Sequence, residues 1–423
     1  MLTGVWKVGA VGERATSGVL GAPRSATRGH RSPGQTRILL VTGKGGTGKT
    51  TVAAATALLT ADHGARTLVV STDAAHSLGD ALGCAIGADP TPVTPMVSAQ
   101  EVDAQQLFDR SWSTVRNYLQ ELLEWAGADS VRAEELAVVP GLDELLALRA
   151  IAGHAAGGWD AVVVDCAPTA ETVRLLALPS TLRTYLDRVL PAHRRLVRSV
   201  APVLRRAVSM PPGPTGVLDA VLELTDELGQ LHDSLADPVV ASIRLVTTPE
   251  SMVVSETRRV WSYLGLFGFN VDSLVVNRVV PDGSTDPWLC RLHQAQEPHL
   301  TRIDRLFEDL GRACAPIRPG EVTGIAELRS FGAAIYGTHD PLTWPPAPSP
   351  PASRRSATPA GHILTLPLPG ADGGEVRLAR SGAVMFITIG PYRRSLPLPP
   401  HLRGRAAVDA RVLNGQLEVE FAT

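Results

Sequence analysis

Five short runs along the chain are almost continuously apolar: "RILLV" (37–41), "RTLVVST" (66–72), "WDAVVVDCAP" (159–168), "ASIRLVTTP" (241–249) and "DSLVVNRVV" (272–280). Runs of this kind are expected of strands buried on both faces of a parallel sheet. Segments of helical period lie between them, among them "TTVAAATALLTADHG" (50–64), a helix former closed by a glycine. The alternation implies a doubly wound α/β domain over 37–340. Ligands in such folds bind at the carboxyl ends of the strands, where this chain places Asp73, Asp165, Thr248 and Asn277. Two stretches without strand signals, about 98–156 and 175–238, carry helical-period apolar runs and read as a helical subdomain, the second broken by "MPPGPTG" (210–216).

Residues 341–360, "PLTWPPAPSPPASRRSATPA", contain seven prolines. They read as a semi-rigid, solvated linker that few contacts should cross. Beyond it, "HILTLPLPG", "EVRLARSG", "AVMFITIG", "YRRSLPLP" and "LEVEFA" alternate with period two at about 10-residue spacing, the signature of a small antiparallel β-sandwich over 361–423. The first 36 residues are rich in Gly, Ser, Ala and Arg, with one acid, Glu13. They lack the apolar core of a signal peptide and read as a disordered extension, or as an over-long start.

Composition narrows the class. A chain of 423 residues is long for one domain. The formal net charge of −2 gives no case for nucleic-acid binding. A content of 44% hydrophobic but only 4% aromatic residues suits an Ala/Val/Leu-rich α/β core, and no run of 18 apolar residues is present to span a membrane. Cys84, Cys166, Cys290 and Cys314 lie far apart, without a C-x-x-C pair, and read as free thiols of a reducing cytoplasm with no zinc site.

Only three of the 40 basic side chains are lysines, and two of them, Lys44 and Lys49, stand five positions apart in "VTGKGGTGKTT" (41–51). Gly43 to Thr50 fits G-x-x-x-x-G-K-[ST], the phosphate-binding P-loop. Its glycines let successive N–H groups point at phosphate oxygens, and the helix that follows adds its positive end. Lys49 would reach the β- and γ-phosphates, and the Thr50 hydroxyl would hold Mg2+. Ammonium is a compact point charge, whereas guanidinium is a wide fork, so a narrow loop of backbone amides admits lysine and excludes arginine. A flexible Gly/Thr turn is the bland alternative, but the strand before and the helix after the loop supply the context the motif requires. An ordinary P-loop has no use for Lys44.

With "STDAAHSLGDAL" (71–82) and "DCAPTAETVRLLALP" (165–179) added to that loop, the sequence resembles the ATPases of arsenical pumps and of tail-anchored membrane-protein targeting. These belong to a wider class of P-loop dimers that includes cell-division and chromosome-partition ATPases. "TTPESMVVSETRR" (247–259), "VVNRVVP" (275–281) and "APIRPGEVTGIAELRSFG" (315–332) extend the likeness over about 37–338. Residues 361–423 resemble the α-crystallin-like domain that some bacterial members carry.

The resemblance implies roles. Gly43, Gly45, Gly46, Thr47, Gly48, Thr50 and Thr51 cradle the ATP phosphates with Lys49. Lys44 takes the place of a second lysine that crosses a dimer interface to the nucleotide of the other subunit; with one P-loop per chain, the partner would be an identical chain. Asp165 would hold the Mg2+ shell through water, or serve as a structural cap. Asp73 would orient the attacking water, cap the next turn, or do both. His76 and Asp80 would report nucleotide state. Asn277 would read the adenine edge, or simply end a strand, and Pro316 to Glu321 would pack beside the base. The departures are the missing cysteine pair for zinc, the absence of cysteine from the helical stretches, and Ala170-Glu171 where Gly followed by His or Glu is common. The expected activity is Mg2+-dependent ATP hydrolysis by a cytoplasmic homodimer acting on a protein client, which could be a membrane protein. The alternatives are a targeting chaperone for apolar segments and the energising subunit of an arsenite pump.

Overall fold

The computed structural model describes residues 5–7, 35–73, 77–102, 147, 150–151, 153–154, 157–167, 229–344, 354–358 and 361–422. Most of the expected helical subdomain lies outside these residues, as do His76, Ala170 and Glu171.

The larger part is built on an eight-stranded sheet. Its strands are β2 (Arg37–Gly43), β3 (Thr67–Ser71), β4 (Thr91–Thr94), β5 (Val97–Glu101), β6 (Ala161–Asp165), β7 (Ala241–Thr247), β8 (Val271–Val279) and β9 (Gly311–Pro316), in the spatial order β4-β5-β3-β6-β2-β7-β8-β9. All neighbours are parallel except β4, which runs antiparallel along the edge of β5. The side-chain period of two divides each central strand between two cores. Ile38, Leu40, Leu68, Val70, Val162 and Val164 point into one, with residues of α3 (Ser251–Phe267) and α4 (Pro287–Leu306). Val41, Val69 and Val163 point into the other, with α1 (Lys49–Asp62) and α5 (Ile325–Tyr336). Helices on both faces bury both sides of the central strands, so β2, β3 and β6 are apolar over most of their length, which is why they stand out in the sequence.

Three strands of this sheet escape the pattern. The stretch read as helical from about 98 begins inside β5, where Val97 and Ala99 face a core but small and polar residues separate them. Strand β9 buries only Ala313 and Ala315 between exposed Arg312 and Cys314, and β4 is a short edge strand. Alternation carried by alanine has little hydrophobic contrast.

The C-terminal part is two four-stranded antiparallel sheets around one core. One sheet is β10 (Arg354–Thr358), β11 (Gly361–Pro367), β16 (Gln416–Phe421) and β15 (Ala407–Leu413), in that spatial order. The other is β12 (Val376–Ser381), β13 (Val384–Ile389) and β14 (Tyr392–Pro397), with β1 (Val5–Lys7) added along β12. Residues 5–7, inside the stretch read as an extension, thus join the far end of the chain, and residues 354–358, inside the proline-rich stretch, form a strand.

The expectation that few contacts cross the spacer is overturned. Helix α3 is buried on two sides, by the large sheet and by the sandwich. Arg258 binds Glu375 at 2.5 Å and donates to the Gly370 carbonyl, Ser262 donates to the Pro369 carbonyl, and Tyr263 donates to the Arg393 carbonyl. Leu266 belongs to the sandwich core itself. The approach is close: a Cβ on Gly265 would stand 2.4 Å from Pro369 Cδ. A proline-rich segment limits conformational freedom but says nothing about whether its two ends meet surfaces that fit.

The start of that segment is also fixed. Arg244, fully buried on β7, donates to Asp272, Ser273, the Tyr336 hydroxyl and the carbonyls of Pro341 and Trp344. Burial works against the guanidinium charge, but Asp272 and the Tyr336 hydroxyl outweigh it and raise the pKa.

Candidate nucleotide site

Strand β2 delivers the glycine-rich loop to the centre of the sheet. Gly43 closes the strand where a Cβ would lie 2.2 Å from the Val246 carbonyl oxygen, so only glycine lets β2 and β7 approach this closely. The loop then turns on itself, with the Thr47 N–H and hydroxyl both donating to the Lys44 carbonyl (3.3 and 2.8 Å). Gly48 caps α1 at φ 91°, a conformation that favours glycine, and a Cβ there would meet Asn277 Nδ2 at 2.4 Å. Lys49 opens the helix and is 6% exposed. Thr50 and Thr51 follow in the first turn, and Gly45 and Gly46 lie exposed at the loop tip. The first-turn N–H groups of α1, which have no partner within the helix, therefore sit at the mouth of the loop.

Two strand ends flank this loop. Asp165 closes β6 in register with Val41 of β2 and Ser71 of β3, with no solvent exposure. Ser71 Oγ donates to its Oδ2 at 3.4 Å, while its Oδ1 has no hydrogen-bond partner among the described residues. Burial, with help from the nearby Asp73 charge, lifts the Asp165 pKa to about 6, against the opposing pull of the Thr50 hydroxyl, Lys49 and Ser71. Thr50, Lys49, Ser71, Asp73 and Asp165 are thus gathered around one point. Asp73 lies two residues beyond β3, partly buried, with its N–H donating to Ser71 Oγ. Thr72 ties the two strand ends by donating to the Asp165 carbonyl and accepting from the Ala167 N–H. An acid left buried with an orphaned oxygen, beside a helix-start hydroxyl and a lysine, suits a hydrated divalent cation: hard oxygen donors and uncompensated negative charge are what Mg2+ requires.

Asn277 reaches the loop from the other side. Strand β8 bulges between Val276 and Val279 in its pairing with β9, and Arg278 adopts φ 59°. The bulge turns the buried Asn277 side chain so that Nδ2 donates to the Thr47 carbonyl (2.8 Å) while Oδ1 accepts from the Arg278 N–H. Asn277 therefore braces the phosphate loop, a job not visible from its place at a strand end. Pro316 closes β9, and exposed Ile317 follows it.

Other residues enter that sequence reasoning passed over. Ser77 opens α2 (Ser77–Leu82) with its Oγ 3.2 Å from Thr50 Oγ1. It stands in the same motif as His76 and Asp73, which was the signal available. Asp80 is exposed on α2, whose Gly79 N–H donates to Glu101. Lys44 Nζ lies 3.5 Å from Glu256 Oε2 on α3, with both side chains partly exposed. The second lysine of the loop is thus paired within its own chain.

Comparison with known proteins agrees with this geometry. Residues 36–337 match the family model described as anion-transporting ATPase, and residues 359–421 match the HSP20-like domain found in ArsA. A Chlorobaculum tepidum protein provisionally named an arsenical pump-driving ATPase is 34% identical over 391 residues, covering 91% of this chain and 96% of that relative. The protein named ATPase GET3 of Eremothecium gossypii is 30% identical over 326 residues, covering 72% of this chain and 90% of that relative. The match spans the phosphate loop, both flanking strand ends and the C-terminal sandwich, and the chain belongs to the ArsA-type family of anion-transporting ATPases.

Proposed function

We propose that the protein is a Mg2+-dependent ATP hydrolase that works in the cytoplasm as a nucleotide-switched homodimer and acts on a protein client. The observation that carries this reading is the convergence of Lys49, Thr50 and Asp73 on the buried Asp165, whose Oδ1 has no hydrogen-bond partner among the described residues. Hydrolysis of a phosphoanhydride needs positioning and charge stabilisation more than covalent chemistry. The amides of Gly45, Gly46, Thr47 and Gly48 hold phosphate oxygens, and Lys49 stabilises charge on the β- and γ-phosphates. Thr50 and Asp165 would hold Mg2+, the latter through water; the ion, when bound, neutralises phosphate charge. Asp73 orients the attacking water. Asn277 keeps the loop in shape from Thr47, and with Pro316 it lines the side where the base would lie.

Lys44 completes the active state from across the dimer. A ligand shifts an equilibrium only through contacts that differ between states. Within the single chain Lys44 faces Glu256; on dimer closure it would exchange that partner for the phosphates of the facing subunit.

The test is phosphate release from Mg2+-ATP by the wild type and by Lys49→Ala. Turnover by the wild type that Lys49→Ala abolishes supports the reading; near-normal turnover by the variant removes the loop from the chemistry. A second reading, the energising subunit of an arsenical pump, is favoured by the names of several relatives. The stretches 98–156 and 175–238 contain no cysteine to bind a metalloid, which counts against it. Arsenite-stimulated turnover would decide for it. A third reading is a targeting chaperone for tail-anchored or apolar segments, for which co-purification of such clients with an ATP-trapped dimer is the discriminating result.

A further inference from the structure

Two observations meet on helix α3. Its first half carries Glu256, which faces Lys44 of the phosphate loop at 3.5 Å. Its second half, from Arg258 to Phe267, is the surface on which the C-terminal sandwich sits. We infer that Glu256 is a positioning residue that holds Lys44 in the open chain, and that the sandwich acts as a brace on α3 that sets the strength of this hold. The inference rests on the reading of Lys44 as a group that works across the dimer.

The geometry makes the coupling direct. Glu256 and Arg258 are two residues apart on one rigid helix. Arg258 binds Glu375 and the Gly370 carbonyl of the sandwich. Further along the same helix, Trp261 packs so closely that a Cβ on Gly370 would stand 2.7 Å from its ring, and the Arg394 guanidinium lies 4.4 Å from the centre of the Phe267 ring. Ser262 and Tyr263 add hydrogen bonds to sandwich carbonyls. Between Glu256 and Arg258, Thr257 donates to Thr247 at the end of β7, next to the Val246 carbonyl that presses on Gly43, so this turn of α3 is also tied to the loop's own neighbourhood. A helix held to the large sheet at Thr257 and to the sandwich from Arg258 onward cannot carry Glu256 away from Lys44 without loosening one of these contacts.

Closure requires Lys44 to leave Glu256. The carboxylate therefore opposes closure twice, by holding the ammonium in the open chain and by repelling the incoming polyphosphate. Both side chains are partly exposed, so the contact is screened and its removal should shift the closing equilibrium only about two- to fivefold.

The experiment uses the full chain with saturating Mg2+-ATP, and measures turnover against chain concentration. Glu256→Gln should lower the concentration for half-maximal turnover by about two- to fivefold, with kcat at saturating chain concentration within about twofold of wild type. A purely structural defect would instead lower kcat or thermal stability. The seam is loosened by Glu375→Gln, which unpairs Arg258, and by Gly265→Ala, which wedges a methyl against Pro369 at a position where alanine suits the helix. Each should reproduce the Glu256→Gln shift in the wild type and add nothing in the Glu256→Gln background; if the wedge fails to fold, Glu375→Gln alone carries this arm. Seam variants that shift both backgrounds equally, or that shift neither, overturn the brace. Lys44→Ala distinguishes the two levels. Loss of turnover there with an unchanged Glu256→Gln overturns this inference alone; full turnover there overturns the role of Lys44 itself.

Discussion

Asparagine in place of Asp165 separates what the site costs the empty protein from what it gives the working one. The folded chain raises this carboxyl from 3.8 to about 6, chiefly by burial. The sign follows from which state binds more protons. Between these values the folded state keeps the proton that the unfolded state has released, so stability attached to this group is present below about pH 4 and is lost as pH rises through about 6. The ionised form at pH 7.5 is therefore disfavoured by on the order of 3 kcal/mol. Asparagine keeps the shape and removes the charge, although its amide needs a partner where Oδ1 has none among the described residues, so a net gain of about 1–3 kcal/mol is expected. For a domain this large that is a rise in Tm of roughly 2–6 °C. The assay is thermal unfolding of both chains with EDTA and no nucleotide, from pH 4 to pH 8. The gap should open as pH rises and level off above about 6. Mg2+-ATP should stabilise the wild type but not the variant, and turnover by the variant should fall by about 100-fold or more. A variant less stable than wild type at pH 7.5, or a gap that persists unchanged at pH 4, would refute the reasoning.

Two further outcomes are expected. Asn277→Ala removes the donor that holds the Thr47 carbonyl; losing one such hydrogen bond, at about 1 kcal/mol, should weaken ATP binding roughly five- to tenfold in a calorimetric titration, and unchanged affinity would show that the loop needs no brace. A chain ended at Asp340 loses both carbonyl acceptors of Arg244 from residues 341–344 and uncovers Trp261 and Leu266 on α3; it should unfold at lower temperature than the full chain, and an equal Tm would show the seam to be energetically idle.

Much of this fold is legible in the sequence because helices cover both faces of the sheet. Strands β2, β3 and β6 are therefore apolar at consecutive positions, β7 and β8 over the shorter runs Leu245–Val246 and Leu274–Val276, and the phosphate loop is set by spacing within eight residues. What stays hidden is of two kinds. Strand β9 alternates with Ala313 and Ala315 as its buried residues, and β5 buries Val97 and Ala99 but also the polar Gln100, so neither strand has much hydrophobic contrast. The contacts of Lys44 with Glu256, of Asn277 with Thr47 and of Arg258 with Glu375 join residues that are 100 or more positions apart. Nothing local marks them. Trp261 and Leu266 would be apolar in α3 whether they faced the sheet or the sandwich, so the seam has no signature of its own.

The claim that two lysines of one loop serve two different subunits is tested most directly by mixing Lys44→Ala chains with Asp73→Asn chains. Each homodimer should be inactive, one for lack of the crossing lysine and the other for lack of the water-orienting carboxylate. In the mixed dimer, the site on the Lys44→Ala chain keeps Asp73 and receives Lys44 from its partner. Turnover should return to as much as half the wild-type value per mixed dimer. Mixed dimers that demonstrably form yet release no phosphate would contradict the claim and place Lys44 in its own chain's site.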